Sequence, residues 1–113
     1  ISKLPGGKFV VAGKTASNDN NVIGNHGGYD LWAFEIDDTG NLLWQKCVGG
    51  TNTEYAWDVS ATSENGCIIS GETFSNNGDI ASYHANGDAW LIRLDSSGNV
   101  LWNETFGGNQ CPG

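Results

Sequence analysis

The sequence predicts an all-β fold made of two equivalent four-stranded antiparallel sheets. Three observations carry that expectation. The stretch GGYDLWAFEIDDTGNLLWQKCVGG, from Gly27 to Gly50, returns without a gap as ANGDAWLIRLDSSGNVLWNETFGG from Ala85 to Gly108, an offset of 58 residues, and a fixed period of this size marks a repeat architecture. Between the short apolar runs lie clusters of Asn, Gly, Ser, Thr and Asp, the residues that turns require. No long stretch repeats its apolar residues at the spacing of a helix.

Each element follows from its residues. Ile1 to Leu4 precede a Pro5-Gly6-Gly7 turn. Lys8 to Lys14, KFVVAGK, contain a continuous apolar run that suits a strand buried on both faces. Gly13 leaves room for a bulge or a close backbone approach. Thr15 to Tyr29 form a long Asn- and Gly-rich loop, and loops of this length are frequently functional. Asp30 opens LWAFEID, in which Trp32, Phe34 and Ile36 share one face and Leu31, Ala33 and Glu35 the other. Asp38-Thr39-Gly40-Asn41 turn the chain into LLWQKCV, which makes a hairpin. The second unit repeats the plan with strands at Tyr55–Thr62, Cys67–Thr73, Ala89–Asp95 and Val100–Phe106. The second strand of the unit is the most apolar and the fourth the most mixed. That gradient suits propeller-like blades, whose inner strands are flanked by neighbours and whose outer strand meets water. Residues 1–50 are therefore expected to form a first blade with a truncated first strand. Residues 51–113 are expected to form a second blade and the start of a link to a following one.

Identical residues fall where geometry is demanding: Gly13 with Gly71, Asp30 with Asp88, Trp32 with Trp90, Gly40 with Gly98, and Trp44 with Trp102. The four repeated indoles are expected to pack between blades. Two blades are fewer than the four to eight that typically close a propeller. The chain also opens inside a unit, since Ile1 aligns with Val59. The expectation is a segment of a larger β-propeller, with assembly of several copies into a ring as the alternative. The isolated chain should associate or aggregate.

The composition excludes several classes of partner. With 13 acidic against 5 basic side chains, the net charge is -8, so a phosphate backbone is repelled and nucleic-acid binding is not expected. No apolar run approaches the ~20 residues of a membrane span, so membrane insertion is not expected either. Cys47, Cys67 and Cys111 show no metal or redox spacing and do not recur between copies. Cys47 and Cys67 could pair if their strands meet; buried or idle thiols are the other reading.

Candidate sites are few. His26 and His84 occupy one repeat position, which points to a structural or loop-tip role, and no unique reactive constellation stands out, so no catalytic residue is assigned. Asp30 and Asp88 suit Asx turns. Together with Asp19 and Asp79, in loops dense in oxygen ligands, they are also candidates for Ca²⁺, which takes six to eight such ligands. The full Asp-x-Asp-x-Asp-Gly spacing is missing. Tyr29, Trp57 and Tyr83 are candidate ligand-binding residues, because aromatic faces stack on sugars and loops on a rigid scaffold are where binding concentrates.

The string GNHGGYDLWAFEIDDTGNLLWQKCVGG resembles the Gly- and Trp-rich tandem repeats of secreted and cell-surface proteins of bacteria and archaea, which carry a GG-x-D-x-W … LD-x-x-G-N-x-x-W … GG pattern. The resemblance spans essentially the whole chain. It implies β-propeller blades and an extracellular or cell-surface location. It also implies a structural or interaction role, as in an adhesin or filament component, whose partners are neighbouring blades of the same or identical chains. The alternative is a carbohydrate-binding module, calcium-assisted or not, alone or attached to a polysaccharide-degrading enzyme, whose partner is a glycan or a surface protein. The second copy departs from the pattern, with Ala85-Asn86-Gly87 where the first has Gly27-Gly28-Tyr29.

Overall fold

A computed structural model describes residues 1–80 and 87–107. The described chain is all-β: β1 (Ser2–Leu4), β2 (Lys8–Thr15), β3 (Asp30–Ile36), β4 (Leu42–Val48), β5 (Glu54–Ala61), β6 (Cys67–Thr73), β7 (Asp88–Leu94) and β8 (Val100–Phe106). They form two four-stranded antiparallel sheets in sequence order, β1-β2-β3-β4 and β5-β6-β7-β8. Neither sheet closes on itself, since each runs in a line between two edge strands.

The hairpin turns repeat in atomic detail. Asp37 Oδ1 accepts the backbone N–H groups of Thr39 and Asn41, and Asp95 Oδ1 accepts those of Ser97 and Asn99. Gly40 and Gly98 then take φ of +87° and +84°, which a side chain would resist. Both fourth strands carry one extra residue, because the register shifts between Glu35 and Ile36 and again between Arg93 and Leu94. The bulge turns Leu43 and Leu101 out to solvent.

The sheets pack front to back. From the first sheet the inward face is Leu4, Val10, Leu31, Ala33 and Val48; from the second it is Val59, Cys67, Ile69, Trp90, Ile92 and Leu94. Leu31 and Ala33 correspond in the repeat to Ala89 and Leu91, which face outward on the second sheet. Trp90, Ile92 and Leu94 correspond to Trp32, Phe34 and Ile36, which face outward on the first. The closest approach runs along β5, against β1, β2 and β3. At the far side the gap is filled by Trp44, which lies against Gly98; a Cβ on that glycine would sit 2.5 Å from the indole Cε3.

This packing corrects the expectation that all four repeated indoles lie between the sheets. Trp90 is 1% exposed, but Trp102 is 41% exposed and Trp32 is half-buried on the outer face of the first sheet. Because each copy turns a different face inward, equivalent indoles have unlike surroundings. The recurring detail is local: Trp32 Nε1 donates to Gln45 Oε1 at 2.9 Å, and Trp90 Nε1 to Asn103 Oδ1 at 3.2 Å.

Gly13 and Gly71 differ for the same reason. In the second sheet β5 bulges between Ala56 and Asp58, opposite Gly71, and a Cβ there would strike the carbonyl oxygen of Tyr55. In the first sheet β1 pairs only as far as Val10, so nothing lies within 4 Å of a Cβ on Gly13. The close approach read from the sequence exists at Gly71 alone.

Cys47 and Cys67 are buried free thiols rather than a bridge. Burial, aided by nearby carboxylates, raises both to about 11 from the ordinary thiol value. Cys111 lies outside the described residues.

Candidate functional site

The ends of β2, β4 and β6 and the starts of β3, β5 and β7 meet at one end of the molecule, where the long β2–β3 loop and the described part of the β6–β7 connection flank the link between β4 and β5. The link between the sheets runs through the middle of this end. Gly49 N–H donates to Asp79 Oδ2 at 3.1 Å, and Gly49 accepts the N–H of Asp79 at 2.9 Å. Thr51 N–H donates to Asn77 Oδ1, Asn52 N–H to Ser75 Oγ, and Glu54 N–H to the carbonyl of Tyr29. A Cβ on Gly49 would run into Glu54 Oε1 and lie 2.8 Å from Asp30 Oδ1, and one on Gly50 would lie 2.5 Å from Asn77 Oδ1. The Gly-Gly pair is therefore a requirement of close packing around buried carboxylates.

Glu54 is the centre of that packing. It is fully buried, and its oxygens accept from Gly50 N–H at 3.0 Å, Thr73 Oγ1 at 2.9 Å and Ser75 Oγ at 2.6 Å. Burial nevertheless raises its pKa above the usual glutamate value, because the desolvation of a carboxylate outweighs these three donors, with the charge of Asp30 adding to it.

His26 bridges the two repeats. Its Nδ1 lies 2.6 Å from Asp30 Oδ2, and its Nε2 lies 3.2 Å from Asp79 Oδ2. Asp30 Oδ2 also accepts the His26 backbone N–H at 2.9 Å. Asp30 therefore reaches back four residues to brace the loop, in place of the Asx turn expected for it. Its Oδ1 is buried and makes no hydrogen bond. Beside this bridge is a cleft of about 330 Å³, lined by Ile23, Gly24, His26, Gln45, Lys46, Cys47 and Asp79. Both imidazole nitrogens face carboxylates, which ties the ring into the scaffold.

The four aspartates named as calcium candidates are not brought together as one set. Asp30 and Asp79 share His26, whereas the Asp19 carbonyl closes a local turn with Val22 N–H. Asp88 begins β7, with a Cβ on Gly107 placed 2.5 Å from its Oδ1. Among the described residues, no group of three or more His, Cys, Asp or Glu side chains is arranged to hold a metal ion.

The aromatic candidates are separated too. Trp57 is the extra residue of the β5 bulge, without a partner in the register, and is 62% exposed on an edge strand. Tyr29 is exposed, but the Lys14 ammonium lies 4.5 Å from its ring centre and 4.6 Å from that of Tyr55. Tyr55 in turn meets Phe74 edge-on at 6.1 Å. One face of Tyr29 is thus already engaged by an internal cation. Tyr83 lies outside the described residues. The sequence reading missed Lys14, Tyr55, Phe74 and Glu54. Only Glu54 left a signal, as a lone carboxylate shortly after the Gly-Gly pair. The chain matches no family model and no curated protein sequence.

Proposed function

We propose that this chain is a non-enzymatic, extracellular β-propeller segment that serves as a structural or protein-interaction module of adhesin or filament type. The observation that carries the reading is the front-to-back stacking of two like sheets, closest where β5, the first strand of the second sheet, crosses the first sheet at β2, and filled by Trp44 on β4. Successive sheets around a propeller axis need that relation. The scaffold use of the potentially reactive groups supports a non-enzymatic role: His26 is tied between two carboxylates, Glu54 holds the inter-sheet link, and the two described cysteines are buried.

A second reading, a carbohydrate-binding module, draws on one observation. Trp57 offers a 62% exposed indole on a bulged edge, the kind of flat apolar face on which a pyranose ring stacks. A glycan array separates the two. The module reading expects a blank array for the native chain. Reproducible binding that disappears in Trp57→Ser, or in the Tyr29→Ser, Tyr83→Ser double variant, would replace it with the lectin reading.

A further inference from the structure

From the second strand of each sheet onward, the two outer faces of this chain correspond in the repeat to the two halves of the contact already present inside it; of the β5 side, β1 supplies only the counterparts of Ser60 to Thr62. The inner contact joins a face carrying Val10, Leu31, Ala33, Trp44 and Val48 to one carrying Ile69, Trp90, Ile92 and Leu94. Carried forward through the repeat, the first set becomes Ile68, Ala89, Leu91, Trp102 and Phe106, which lie on the outer face of the second sheet with Trp102 and Phe106 exposed. Carried back, the second set becomes Val11, Trp32, Phe34 and Ile36, half-buried on the outer face of the first sheet. The details correspond as well. Trp44 covers the turn glycine Gly98, while Trp102 is exposed and Gly40 has open space where a Cβ would go. Glu35 and Cys67 lie on the facing inner sides of the two sheets, and the Glu35 charge bears on the Cys67 thiol; their counterparts on the two outer faces are Arg93 and Phe9, a cation and an aromatic ring. Arg93 Nη2 is paired with Glu64, while its Nε is buried without a hydrogen bond.

We propose that a second copy of this chain docks head to tail, its first sheet covering the second sheet of its neighbour, with Trp102 seated on the Gly40 turn and Arg93 against Phe9. The proposal deepens the blade reading and rests on it. Such a contact is heterologous: each copy uses a different face, so the arrangement closes into a ring when the rotation permits and otherwise extends. It differs from a symmetric, two-fold pairing of like faces, in which both copies would use the same sheet.

The test is sedimentation velocity on the native chain and on two variants, Trp102→Glu and Phe34→Glu, each checked for an unchanged far-ultraviolet circular dichroism spectrum. The native chain should associate with rising concentration. Each variant alone should be monomeric, because removing a central aromatic anchor weakens association by about thirtyfold or more. Mixed, the two variants should form a 1:1 heterodimer that goes no further, since one keeps an intact first sheet and the other an intact second. Should either glutamate disturb folding, Trp102→Ala and Phe34→Thr make the same comparison. A native chain monomeric at every concentration, self-pairing by either variant, or a mixture that stays monomeric would overturn the proposal. A blank glycan array beside a failed mixture would remove this contact and leave the module reading. Glycan binding by a chain that still assembles would do the reverse.

Discussion

Trp32 and Trp90 hold the same place in the repeat, donate the same indole hydrogen bond, and sit in unlike surroundings, so replacing each by alanine isolates the packing between sheets. Trp90 is 1% exposed, and its whole side chain is lost from the core. Such truncations cost about 3–5 kcal/mol, a large share of the ~5–15 kcal/mol that stabilises an ordinary domain. Trp32 is half-buried on the outer face beside Phe34, with ring centres 4.5 Å apart. Its loss should cost about 1–2 kcal/mol from the smaller apolar area involved. The lost hydrogen bonds, to Gln45 and Asn103, are alike and cancel in the comparison. With roughly 4 °C per kcal/mol for a domain of this size, Trp90→Ala should lower the midpoint by more than about 10 °C and Trp32→Ala by less than about 8 °C. The assay is thermal unfolding by circular dichroism, at concentrations where the chain is monomeric. Equal losses, or a greater loss at Trp32, would refute the front-to-back packing.

Gly71→Ala should destabilise by about 1–3 kcal/mol through overpacking against Tyr55, whereas Gly13→Ala should be neutral or stabilising by up to about 1 kcal/mol; urea unfolding midpoints compare them. Glu54 has a raised pKa in the fold, so its contribution is complete below the ordinary glutamate value near 4.5 and is lost as pH rises through the folded value. Glu54→Gln should therefore gain on the native chain as pH rises from 4.5 through the folded value in paired denaturation curves. Asp37 has the opposite sign: the Asn41 backbone N–H, then the Thr39 hydroxyl and the Asn41 amide, lower it to about 2 from 3.8, so its contribution is lost as pH falls through that window. Asp37→Ala should flatten the acid limb of stability between pH 4 and pH 2. In a Cys111→Ser background, Cys47 and Cys67, both raised to about 11, should react with a disulfide reagent at pH 8 only on unfolding.

The strands and their order were legible because each depends on local signals. Asp37 to Asn41 and Asp95 to Asn99 announce hairpins by residues that bond their own backbone, and the observed strand ends agree with the apolar runs to within about one residue at these turns. The facing of the sheets was not legible. Trp32 and Trp90 look identical in the sequence, and an alternating pattern names two faces without saying which copy turns which inward. The site was the least legible part. Lys14 sits beside Tyr29 and Tyr55, and His26 beside Asp79, only because the two sheets stack. Such pairings arise from tertiary placement and leave no spacing to read.

The buried Gly49-Gly50 link has a consequence for how the molecule comes apart. A connection between two halves is ordinarily the first place a protease finds, but here its backbone is spoken for by Glu54, Asn77 and Asp79. Nicking should begin instead in the exposed segment 16–24. The halves should then melt in a single transition, as a dovetailed joint that fails only when both boards do.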